Sequence, residues 1–155
     1  MNPETSTEAE VGSLRHPAAL QLADPACPPW HFAADLPAGS PSVPVARRLV
    51  RLALRGWGLD DLTELAELLA SELVTNSITA SAAIGAPAVR LALTGQPYSL
   101  TIGAWDANPA CPVLQEDPAD GEHGRGLILV DALAARWGCD PSADGGKTVY
   151  AVIPR

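Results

Sequence analysis

Four groups of residues have types and spacings that can do chemistry. Glu72 and Asn76 stand four apart within residues 66–81, where leucines recur every three or four positions. On a helix that spacing sets one above the other on a single face. A carboxylate there can take a proton from a hydroxyl or a water, and an amide oxygen can ligate a hard cation such as Mg2+. Asp106 ends a run of alternating apolar residues, so its carboxylate points to the same side as the core and needs donors. Gly124-Arg125-Gly126 precedes an apolar helical stripe, and glycines at a helix start let backbone N–H groups approach an anion. Gly145-Gly146-Lys147-Thr148 invites a P-loop reading, which fails. Pro141 stands where that motif needs its first glycine, and a strand pattern follows where it needs a helix. Each group alone has a plain reading: a solvated helix face, an Asx turn, a glycine-started helix, a loop.

The elements that must position these groups can be read from periodicity. Trp30, Phe32, Ala34 and Leu36 alternate with His31, Ala33 and Asp35, which predicts a strand with one buried face. A Pro/Gly/Ser connection follows, then a helix over 45–55 with Leu49, Leu52 and Ala53 inward, stopped by Gly56 and Gly58. Trp57 packs on the core in this reading. The second helix, 61–83, carries Leu62, Leu65, Leu69 and Leu73 as its stripe. It starts at an acidic cap, Asp61-x-x-Glu64, and ends at Gly85 and Pro87. Val89, Leu91 and Leu93, a turn at Gly95-Gln96-Pro97, and Leu100, Ile102 and Ala104 predict a hairpin whose parity runs on to Asp106. Residues 108–123 are polar, acidic and proline-bearing, a loop or lid with Glu116, Asp117, Asp120 and Glu122. A third helix opens at Gly124, with Leu127, Val130, Ala134 and Trp137 as its stripe, and stops at Gly138. Residues 148–153 read as the closing strand. A few mainly antiparallel strands beside three helices predict a two-layer α/β sandwich with the helices on one face of a mixed sheet.

Composition narrows the function classes. A chain of 155 residues with 47% hydrophobic content is one domain with a sizeable core. Residues 1–28, rich in Pro, Ala, Glu, Ser and Thr, read as a flexible N-terminal arm, with 14–22 able to form a short helical turn. The domain is then 29–155. The formal net charge of −8 and the lack of a basic cluster longer than Arg47-Arg48 disfavour nucleic acid as a partner. Cys27, Cys111 and Cys139 are odd in number and far apart, which fits a reducing, cytoplasmic setting better than a disulfide framework. His16, His31 and His123 lack zinc-ligand spacing. No basic, apolar leader and no membrane-length apolar run is seen, so a membrane is not an expected partner.

Taken in order, Glu72-Leu73-Val74-Thr75-Asn76, Asp106, Gly124-Arg125-Gly126-Leu127 and Gly146-Lys147-Thr148 resemble the N box and the three glycine boxes of the GHKL ATPase superfamily, which includes gyrase, histidine kinases and MutL. The likeness is nearest to the small bacterial anti-sigma-factor-type serine/threonine kinases with ELVTN, GRGL-x-LV-x-AL and RWG signatures. These fall here at 72–76, 124–133 and 136–138. The resemblance spans residues 30–153 and implies a Bergerat-type sandwich with ATP between helices and sheet. It implies Glu72 as general base and Asn76 as the Mg2+ ligand. It implies Asp106 as acceptor for the adenine amino group, with Asn108 beside it. Gly124, Arg125 and Gly126 would hold phosphates, and Thr148 would lie near the base. It further implies a small antagonist protein or a sigma factor as partner, and a homodimer. Three departures mark this chain. Pro109 follows Asp106-Ala107-Asn108 where relatives carry glycines, Ser77-Ile78-Thr79-Ala80-Ser81 replaces a basic run with histidine, and the lid is acidic. They leave open a second reading, a non-catalytic interaction module that keeps the fold with weak or lost nucleotide binding.

Overall fold

The computed structural model describes residues 28–115 and 124–155. The expected arm and its helical turn, and the acidic lid residues 116–123, lie outside the described residues. Five strands form one sheet: β1 (Trp30–Pro37), β2 (Ala88–Gln96), β3 (Ser99–Asp106), β4 (Arg136–Pro141) and β5 (Lys147–Pro154). Their spatial order is β1-β2-β3-β5-β4, and every neighbouring pair is antiparallel. Three helices accompany them: α1 (Ser42–Gly56), α2 (Thr63–Ile84) and α3 (Arg125–Leu133). The two-layer α/β sandwich expected from the pattern is present.

The alternation of β2, β3 and β5 explains where the core sits. Val89, Leu91, Leu93, Leu100, Ile102, Ala104, Val149, Ala151 and Ile153 are all buried and share one face of the sheet. Against them pack Leu69, Leu73 and Val74 of α2 and Val130 of α3. Each fully buried Leu or Ile contributes about 1.5–3 kcal/mol of transfer free energy, so this layer is the main stabilising term. Because α2 lies between α1, the sheet and α3, its apolar surface is broader than a single stripe. Its C-terminus is closed by Gly85 at φ 67°, whose successor Ala86 donates to Ser81 O at 2.9 Å.

Several local expectations are corrected. A 3-10 turn over Asp60–Leu62 precedes α2, and no side chain caps that helix; Glu64 still lies in the first turn, near the positive end of the dipole. The inner face of α1 is Ser42, Ala46, Val50 and Leu54, while Leu52 is 57% exposed. That row at four-residue spacing packs on α2, and Leu49 and Ala53 flank the contact, partly buried. The third helix ends at Leu133. Ala134 is extended (φ −81°, ψ 146°), and residues 136–141 leave the helix for the edge strand β4. There Gly138 lies opposite Tyr150, and any side chain on it would strike the tyrosine ring. Gly138 is thus a sheet residue under an aromatic ring rather than a helix stop. Trp137 faces Ala151 in the ladder, and its indole N–H donates to Asp131 at 2.7 Å.

The cysteine expectation is also overturned. Cys111, in the loop after β3, and Cys139 of β4 form a disulfide with Cα atoms 6.0 Å apart. The spacing of 28 residues carries no motif. The pair meets because the edge strand returns beside the loop, which is a tertiary event. Among the described residues no helix is long and apolar enough to cross a membrane.

Candidate functional site

The site forms where α2, α3 and the end of β3 meet. Glu72 and Asn76 lie one turn apart on α2, both partly exposed, and no hydrogen bond joins either side chain to another described residue. The first turn of α3 rests on this pair. A Cβ built on Gly126 would run into the Glu72 carboxylate and lie 3.7 Å from Asn76 Oδ1. With glycine at 126, the backbone at the start of α3, a carboxylate and an amide oxygen converge with no side chain between them, and a bulkier residue would push the Glu72 carboxylate aside. Gly124 precedes the helix at φ 109°, and Arg125 is exposed beside it.

Asp106 is completely buried at the end of β3. Its Oδ1 accepts from Lys147 Nζ at 2.8 Å and from the Asn108 amide at 3.0 Å. Its Oδ2 is buried with no partner among the described residues. Lys147 Nζ also donates to Asn108 O at 2.9 Å. Asn108 in turn donates from Nδ2 to Ala80 O on α2 at 3.1 Å and accepts from the Ala110 amide at 3.0 Å. So the loop after β3 is tied to α2 one turn beyond Asn76. Gly146, at φ 72°, makes room for this arrangement, since a Cβ there would strike the Asp106 carbonyl.

Thr148 differs from the sequence expectation. It pairs with Trp105, lies against Gly103 and comes within 3.4 Å of the Ser142 hydroxyl, on the sheet face away from the helices. Strand parity turns its neighbour Lys147 inward instead, with a side chain only 3% exposed. Of this pair, Lys147 rather than Thr148 meets Asp106. An alternating pattern read outward from Val149, Ala151 and Ile153 would have found Lys147. Sequence reasoning also passed over Ser77 and Ser81. They continue the buried row of Leu73 along α2, and their hydroxyls are buried without a partner among the described residues.

Glu72 has a second exposure. It lines a groove of about 610 Å³ between α1 and α2, together with Arg47, Arg51 and Glu67. Arg51 grips the buried Glu67 with two bonds of 2.6 and 2.9 Å. That hydrogen bonding, and then the carboxylate charge, raise the guanidinium above its ordinary pKa.

The sequence profile of the histidine kinase-like ATPase domain matches residues 36–153, most of the chain. This chain belongs to the histidine kinase-like ATPase domain family. No curated protein matches it. Membership makes this an ATP-binding domain of the GHKL type, and the residues present fit the nucleotide. A buried carboxylate oxygen with a vacant lone pair suits the amino group of adenine. A helix start without side chains suits phosphate. Among the described residues no three His, Cys, Asp or Glu side chains cluster as a metal site. Asn76 offers an amide oxygen, a hard donor that could complete the shell of a Mg2+ held mainly by phosphate oxygens and water.

Proposed function

We propose that the protein is an ATP-dependent regulatory kinase of the anti-sigma-factor type, which phosphorylates a serine or threonine of a small antagonist protein and sequesters a sigma factor. The observation that carries this reading is the apposition of the Glu72 carboxylate, Asn76 and the bare start of α3 at Gly126. In this scheme Asp106 Oδ2 and the backbone near Asn108 anchor the base. The amides at 124–126, with Arg125, hold the phosphates, and Asn76 ligates Mg2+, which neutralises charge on the transferring phosphoryl group. An acceptor hydroxyl enters along the groove between α1 and α2, reaching Glu72 from the side away from α3. Its oxygen bonds to the γ-phosphorus, the bond to the bridging oxygen breaks, ADP leaves, and Glu72 takes the hydroxyl proton. We further propose that the protein acts as a homodimer.

A second reading, a non-catalytic interaction module, draws support from the scarcity of cations at the phosphate end. Apart from the exposed Arg125, no lysine or arginine among the described residues follows Asn76 on α2 or opens α3. Calorimetric titration with ATP, with and without Mg2+, tests the two. The kinase reading expects ATP to bind, Asp106→Ala to abolish binding, and Asn76→Ala to remove the Mg2+ dependence. No heat even at millimolar nucleotide refutes it and leaves the interaction module.

A further inference from the structure

The two oxygens of Asp106 are treated differently by their surroundings. Oδ1 receives both Lys147 Nζ and the Asn108 amide, and Oδ2 receives nothing among the described residues. Lys147 and Asp106 have side chains 3% and 1% exposed, so water does not compensate either group. A buried lysine reaching back from the start of β5 is not needed to hold the two strands together, since β3 and β5 already pair over eight residues from Ser99↔Pro154 to Asp106↔Lys147. What the lysine does is fix which oxygen is occupied and supply the countercharge. A carboxylate oxygen only accepts, so the one left without a protein donor is fitted to a donor on the ligand.

We propose that Lys147 is the residue that sets base specificity at this site: with the Asn108 amide it saturates Asp106 Oδ1 and leaves Oδ2 as a lone acceptor, fitted to the amino group of a 6-aminopurine and unfitted to a 6-oxopurine. Lys147 acts through Asp106 and is a positioning residue. The inference rests on the ATP-binding reading above. Gly146 belongs to the same device, because its missing side chain lets the chain pass under the Asp106 carbonyl and deliver Lys147 from below.

The probe pair is ATP and inosine triphosphate, which differ at the purine 6-position. Calorimetry on the full chain gives the ratio of their affinities. The wild type should prefer ATP by at least about tenfold, the size expected when a buried acceptor is left facing an acceptor. Lys147→Met should bring that ratio to within about threefold of unity, because Asp106 then loses the ammonium that fixes it with Oδ2 toward the ligand. The sharper test is Asp106→Asn. Lys147 and the Asn108 amide both donate to the Oδ1 position, so the amide must place its oxygen there and its NH2 where Oδ2 was. The preference should then invert in favour of inosine triphosphate. Far-ultraviolet circular dichroism verifies folding of each variant, and if Lys147→Met does not fold, Asp106→Asn decides alone. Inversion supports the proposal. A retained ATP preference in either folded variant, or loss of all binding in Asp106→Asn without inversion, overturns it. A wild type that binds neither nucleotide overturns the ATP reading itself, an outcome distinct from wild-type binding with an unchanged ratio in the variants.

Discussion

Opening the Cys111–Cys139 disulfide should destabilise the domain by several kcal/mol. The bond closes a ring across a sequence separation of 28, which contains α3 and its glycine-flanked start. In the chain-entropy account, a cross-link over that length removes enough freedom from the unfolded chain to stabilise the fold by about 3.6 kcal/mol at 25 °C. Domains of this kind are stable by only about 5–15 kcal/mol in total, so the loss is a large share. The experiment compares urea unfolding of the oxidised protein, the same protein in dithiothreitol, and Cys111→Ser/Cys139→Ser. Tryptophan fluorescence reports the transition, since Trp30 and Trp57 stack in the core with ring centroids 5.9 Å apart. With a urea slope of about 1–3 kcal/mol per molar, the midpoint should fall by about 1–3 M in both perturbed samples. Cys27→Ser serves as control and should keep the full sensitivity to reductant. A shift below about 0.3 M in both samples would show that the ring does not constrain the unfolded chain, and refute the reasoning.

Other consequences follow from the same geometry. Gly126→Ala should weaken ATP binding by about tenfold or more while changing stability by less than about 1 kcal/mol, because its methyl group displaces the flexible end of the partly exposed Glu72; calorimetry and thermal melts read both. Glu72→Gln should leave ATP binding in place while phosphorylation of a true partner is lost, and unchanged transfer would remove Glu72 from the role of base. On α1, Leu54→Ala should cost about 2–5 kcal/mol in urea melts, and the exposed Leu52→Ala within about 0.5 kcal/mol; the reverse order would contradict the observed helix face.

Much of this protein was legible in its sequence. The alternation of Leu91, Leu93, Leu100, Ile102 and Ala104 determined the hairpin and carried its parity to Asp106, so a buried acid at the strand end was foreseeable. Four-residue spacing set Glu72 and Asn76 on one face of α2 by helix geometry alone. Glycines at 124 and 126 announced a helix start open to close approach. Such features are local: they follow from chain periodicity and from the absence of a Cβ.

Other features depend on which segments meet, and only the tertiary structure decided them. Residues 136–141 carry a short pattern that continues a helical stripe as readily as it forms a strand, and the free edge of β5 resolved it. The face of α1 was settled by packing on α2, which buried Ala46, Val50 and Leu54 and left Leu52 exposed. Cys111 and Cys139 pair because β4 returns beside the loop after β3, and no spacing rule reaches across 28 residues. The ion pair of Asp106 and Lys147 joins residues 41 apart through strand register. A sequence states which groups are available and how often they recur along the chain. Long-range register and packing determine which of them share a site, because the contacts that choose among local alternatives are made only when the sheet and helices close on one another.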